Sequence, residues 1–352
     1  MFLVLVNMDS AFAHGTLSPD QNPWTSWTLT PEITLGSALV AVVYGVGIWR
    51  RRRKSDAGRI WRHVFFFTGI AALFLALQSP IDSVAEHSFF MHQVQHFLLR
   101  VIGPMLIFLA APQGLLIAGT PHWAQRRIVA PVMTNGVVLK IFNVLTQSVM
   151  ATVFFIGTLY FWQIPKFHNM ALLNDSVHYL MHISMLLSGL VFFWCIFDFR
   201  PALTGIRYGV RLMMLWITIL SNIILGSYLT LKKPVLYTAY AEFSRVWDFS
   251  QLEDEQLGGM LIWNPSSMMG LVAVLIVIHM LGRHETREEQ HRTMRLMQQG
   301  YGRNEPPMTG ADLIQAAAGK NRAMALGFTG FVTAVFAATI AIGVISKAMG
   351  TS

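Results

Sequence analysis

A chain of 352 residues that is 54% hydrophobic and only 12% charged, with a mean hydropathy of +0.49, carries too few charges to cover a soluble globule. A net charge of +8 would suggest nucleic acid in a soluble protein, but here Lys and Arg cluster in short stretches beside apolar runs, a topology pattern that gives no reason for a nucleic-acid partner. The one cysteine, Cys195, lies in an apolar run, which excludes a disulfide framework, a CxxC redox motif and a thiolate zinc site, and leaves His, Met, Asp or Glu to hold any metal.

The chain begins MFLVLVNMDSAFAHG, a short apolar run ending in Ala11-Phe12-Ala13, which reads as a signal peptide over 1–13 cut before His14, although a basic n-region is missing. Residues 14–32, rich in Pro, Thr and Ser, read as a periplasmic lead-in. Apolar runs follow at 33–49, 63–79, 88–111, 141–163, 176–198, 210–230, 258–281 and 323–346. Each is near the ~20 residues that a spanning helix needs. With the N-terminus outside, the inner stretches 50–62, 112–140, 199–211 and 282–322 hold 7, 3, 3 and 7 of the 26 Lys and Arg residues, as the positive-inside rule requires. The expected architecture is therefore all-α, a polytopic bundle of seven or eight helices with a periplasmic N-terminus, since only helices or closed barrels satisfy backbone groups in lipid. It divides into a seven-helix core at 33–281, a cytoplasmic loop at 282–322 and an extra helix within 323–352. The place of such a chain is a bacterial inner membrane, with lipid as its first partner.

The third run carries His92 and His96 near its start, and the fifth carries His178 and His182 in the same register. Residues four apart share one helix face, about 6 Å apart along the axis. Both runs pass from outside to inside in this topology, so the pairs lie at matching depth near the outer face. Buried imidazoles in lipid are costly and mark function by default; the plain alternative is that each bonds a neighbouring helix. HxxxH is half of a zinc-protease motif, but position 93 is Gln and cannot serve as the general base. Two stacked haems need ligands about 20 Å apart on one helix, which one turn does not supply, although a single bis-His haem b would use one histidine of each pair. A compact ion site fits the spacing best, and imidazole suits copper, zinc, iron or nickel. Met91, Met181 and Met185 beside the pairs tilt the choice to copper, as Cu(I) or Cu(II), while ordinary packing accounts for any one of them. Before the seventh run, Glu253, Asp254 and Glu255 are a solvated helix start or a source of a hard ligand, with Asp254 the candidate. Asn264-Pro265 is expected to kink that run, and Arg100, one turn inward of His96, to pair with a carbonyl or carboxylate.

HQVQHFLLRVIGP, VHYLMHISMLLSGLVFFW, LGSYLTLKKPVLYTAY and LEDEQLGGMLIWNPSS, in that order, resemble the signatures of the polytopic CtaG family of caa-type cytochrome c oxidase assembly proteins, over about residues 60–282. The family's paired-histidine and acidic elements fall at His92 and His96, His178 and His182, and Asp254 with Gln256. Phe97 and Arg100 stand where the family tends to have Met, and Met105 follows Pro104 where a second Pro is usual. The resemblance implies a non-enzymatic role in maturing a haem-copper oxidase by handling copper on the periplasmic side. Its partners would be oxidase subunits and periplasmic copper chaperones. A haem b protein and a copper transport or tolerance permease are the competing readings.

Overall fold

The computed structural model describes residues 24, 27, 29–51, 60–198, 205–243, 246–298 and scattered positions between 322 and 337. The expected signal peptide, His14 and most of 299–352, including the expected last helix, lie outside the described residues. Among those described there is no strand, and the chain is an all-α bundle. Two units divide it, residues 1–277 and 278–352.

Five helices are long and apolar enough to cross a membrane: α1 (Pro31–Arg51), α2 (Ile60–Gln78), and further on α12 (Asp175–Ile196), α13 (Tyr208–Leu231) and α14 (Gln251–Gln298). Between α2 and α12 the chain is broken into shorter pieces, namely α3 (Pro80–Ala85), α4 (Phe89–Phe97), a π turn at Leu98–Ile102, α5 (Gly103–Leu109) and α6 (Gln113–Gly119). They are followed by α7 (His122–Ala124), a second π turn at Gln125–Val129, α8 (Ala130–Thr134), α9 (Gly136–Leu145), α10 (Ser148–Trp162) and α11 (Pro165–Leu172). Three sharp bends lie in this interval, 78° between Leu109 and Gln113, 64° around Asn135 and 73° between Trp162 and Pro165. If each bent pair counts as one span, the total is eight.

Two expectations change here. Residues 112–140 are largely helical rather than a loop, and the run 141–163 is divided at Thr146-Gln147 between α9 and α10. The causes are local. Ile164 precedes Pro165 and is held extended at ψ 122°, because the proline ring disfavours an α-conformation in the residue before it. Asn135, extended at ψ 121°, ends α8 and caps α9 by accepting from the Val137 and Val138 amides. At the first bend Ala111 adopts φ 49°, the left-handed region, ahead of Pro112. By contrast α14 runs through Pro265 as one helix.

Packing against α12 positions the site. The π turn, α5 and α10 all pack against α12. The close approach depends on Gly189, where a Cβ would stand 2.3 Å from the Arg100 carbonyl oxygen. Gly258 gives α4 the same access to α14, since a Cβ there would stand 2.4 Å from Phe89. In the second unit the exposed part of α14 carries a His284–Glu288 contact at 3.7 Å, one turn apart.

Candidate metal centre

Helix α4 begins at Ser88, whose hydroxyl accepts from the Met91 amide, and α12 begins at Asn174, whose side chain accepts from the Val177 amide. Each cap precedes the first histidine of its pair by four residues, so His92 and His178 hold one register and His96 and His182 the next. Asp254 of α14 strengthens the first cap: its carboxylate accepts from Ser88 Oγ and the Phe89 amide at 2.7 Å each, and from the Phe90 amide at 3.3 Å. A carboxylate at a helix N-terminus satisfies otherwise orphaned donors and complements the helix dipole.

All four sequence-predicted histidines are buried and come together. Ring centroids are 4.4 Å apart for His92 and His96 and 4.3 Å for His178 and His182, while across the helices His92 stands 5.2 Å from His178 and His96 stands 5.6 Å from His182. One ring nitrogen from each of His92, His96 and His182 lies within 4.8 Å of the others. Metal–nitrogen bonds of ~2.0 Å place ligand nitrogens at most ~4 Å apart, so modest ring rotations close the group on one ion.

A fifth imidazole, His168 from α11, joins them 5.1 Å from His92. Its Nδ1 lies 3.0 Å from the Trp162 carbonyl and its Nε2 lies 3.0 Å from the Tyr240 hydroxyl, which is also 2.7 Å from His92 Nδ1. Neither residue is given a role by sequence reasoning, although Tyr240 closes the quoted stretch LGSYLTLKKPVLYTAY. The signal in the sequence was slight, a histidine three residues past Pro165 and a tyrosine in a short helical turn, Thr238–Glu242, away from any apolar run.

The polar atoms facing inward fit a metal. His92 Nε2 and both ring nitrogens of His96 are buried without a hydrogen-bond partner. Buried polar atoms without partners cost free energy, and a site that retains several calls for a ligand or a special role.

The remaining candidates are held by other contacts. Both oxygens of Asp254 are engaged at the start of α4. Met91 packs with Val84 and Ala85, while Met181 lies in the main core with Phe89, Leu99 and Trp162. Arg100 donates to the Phe155 carbonyl at 2.7 Å with its guanidinium 3.6 Å over the Phe155 ring, the carbonyl pairing expected of it.

Around the histidines runs a buried polar frame. Gln163 donates to Gln93 at 2.9 Å and accepts from the Tyr237 hydroxyl at 2.8 Å. Glu255 pairs with buried Lys232 and accepts from the Tyr237 and Leu236 amides. This frame ties α4, the α10–α11 bend and the segment before α14 into one support.

Three hollows open around the site, two of them onto its histidines. One is lined by His87, Ser88, Trp247, Phe249 and Asp254 together with Tyr240. Another, walled by Leu77, Leu99 and Leu186 with Asp82 and Tyr179, opens onto His182, and the third meets His96 beside Arg100 and Ser266.

The sequence model described as cytochrome c oxidase caa3 assembly factor matches residues 42–283, a stretch that contains every residue of this site. Uncharacterized proteins of Mycobacterium bovis and Mycobacterium tuberculosis are each 22% identical over 274 residues, and one of Mycobacterium leprae is 21% identical over 279. Each alignment covers 76% of this chain and 42% of the relative, so the chain spans less than half the length of the curated relatives it matches. No solved structure matches it.

Proposed function

The chain belongs to the cytochrome c oxidase caa3 assembly factor family, and from that premise we propose that it binds copper at the buried histidine cluster and supplies it to the copper centres of a haem-copper oxidase. The observation that carries this reading is the group of His92, His96 and His182, three ring nitrogens within 4.8 Å with partnerless atoms on two of the three side chains. Neutral imidazoles suit both Cu(I) and Cu(II), and burial keeps water from competing for the ion. Copper is cargo in this role, and the chain has no catalytic step to perform. The site lies toward the outer side of a bacterial inner membrane, where oxidase subunits and periplasmic copper chaperones exchange the ion.

Crowding favours a single ion over haem. A macrocycle laid between His92 and His182, whose rings are 6.0 Å apart, would run into His96 and His178. Met91 and Met181, held in packing, are at most transient ligands, and Asp254 contributes by fixing the helix that carries His92 and His96.

The deciding experiment is metal analysis of the purified full chain beside the variant with all four paired histidines changed to Ala, followed by oxidase copper content in cells that carry each. Stoichiometric copper lost in the variant, together with copper-poor oxidase subunits, is expected. Stoichiometric haem in the purified protein, or full oxidase activity in copper-limited medium with the fourfold variant expressed normally, rejects the reading.

A further inference from the structure

Trp162, His168, Tyr240 and His92 form a chain of hydrogen bonds whose direction is set from one end. The Trp162 carbonyl can only accept, so His168 must donate to it from Nδ1. In a neutral ring the other nitrogen, Nε2, then carries the lone pair and accepts from the Tyr240 hydroxyl. Tyrosine has a single hydroxyl proton, and with that proton given to His168 its oxygen is left to accept from His92 Nδ1 at 2.7 Å. His92 is thereby protonated at Nδ1, and its Nε2, buried and without a hydrogen-bond partner, presents a bare lone pair to the cluster.

We infer that Tyr240 and His168 are positioning residues that lock His92 in the Nδ1–H tautomer and aim its Nε2 lone pair at the ion-binding centre, so that the site is ready for a soft or borderline cation before one arrives. The inference rests on the copper reading only for the identity of that cation. No proton has to leave His92 when a metal binds. Each member of the chain is held from a different part of the fold, His168 by α11 after the 73° bend, Tyr240 by the Thr238–Glu242 turn and His92 by the capped start of α4. The Phe89 ring, stacked on Tyr237 at 4.4 Å and 5.3 Å from His168, packs beside the chain.

Two measurements on the full chain in detergent test this. The first is nitrogen NMR of ¹⁵N-histidine-labelled, copper-free protein, with the His92 signals assigned by their loss in His92→Ala. A protonated Nδ1 and a bare Nε2 at His92 are expected, and protonation at Nε2 overturns the proposal. The second is Cu(I) affinity against a chromophoric chelator. Tyr240→Phe should weaken binding by about 10 to 100-fold, the size of loss typical when a residue that orients a ligating histidine is removed. His92→Ala combined with Tyr240→Phe should be no weaker than His92→Ala alone, because both act through one ring. Unchanged affinity in Tyr240→Phe, with reduced affinity in His92→Ala, refutes the positioning role and leaves the copper site standing. If Tyr240→Phe fails to fold, His168→Ala breaks the same chain one link earlier and is judged by the same outcomes. If His92→Ala, His96→Ala and His182→Ala all bind Cu(I) like the parent, the copper reading falls, and the His92 tautomer still decides the positioning proposal.

Discussion

At the scale of single residues, the site separates side chains that hold the fold from side chains held by it. His96 is 3% exposed and neither ring nitrogen has a partner, so its burial costs stability rather than adding to it. His96→Leu should therefore leave thermal unfolding in detergent unchanged or raised, while Cu(I) affinity falls by at least about 10-fold; a large drop in unfolding temperature would show the ring to be structural. Asp254 is the opposite case. It accepts three hydrogen bonds at the start of α4, and Asp254→Asn replaces one acceptor oxygen with a donor and removes the charge that complements the helix dipole. A loss of about 1–3 kcal/mol is expected in denaturant or thermal unfolding. Lys232 and Glu255 form a buried pair, with side-chain exposures of 2% and 0%. Lys232→Met alone should cost about 3–5 kcal/mol by leaving Glu255 uncompensated. Adding Glu255→Gln should recover part of that loss, because Gln keeps an acceptor for the Leu236 and Tyr237 amides. A double variant less stable than Lys232→Met would contradict this account.

Among the elements, the π turn after His96 and the face of α12 that receives it decide whether two histidine pairs become one cluster. The Arg100 carbonyl sits where a Cβ on Gly189 would be, so Gly189→Ala must push α12 and the π turn apart. Overpacking of this kind costs roughly 1–3 kcal/mol. It also moves His182 away from His96, so weaker Cu(I) binding is expected even though no ligand has changed. An affinity equal to the parent's would mean that the clash is absorbed elsewhere along α12. The caps at Ser88 and Asn174, four positions ahead of His92 and His178, set both pairs in one register; of this arrangement the i, i+4 pairing was legible in the sequence. The π turn was not, since nothing in LLRVI distinguishes it from an ordinary helical stretch.

For the whole molecule, the distribution of 20 of the 26 Lys and Arg residues predicts that positions 55 and 300 face the cytoplasm. Cysteines placed there should resist an impermeant thiol reagent in intact spheroplasts, and labelling of either would overturn this assignment. Composition settles the class of fold, because too few charges and repeated apolar runs leave the chain only a helical bundle in lipid. The i, i+4 histidine pairs were equally legible, since helical geometry alone puts each pair on one face. Hydropathy, however, sums residue by residue and carries no record of where one segment meets another. Folding therefore decided what periodicity could not: the joining of His168 and Tyr240 to the four expected imidazoles, and the use of Asp254 as a cap for a distant helix. Those outcomes depend on close approaches at Gly189 and Gly258 and on buried hydrogen bonds between residues as far apart as Ser88 and Asp254, contacts that form only when distant segments fold together.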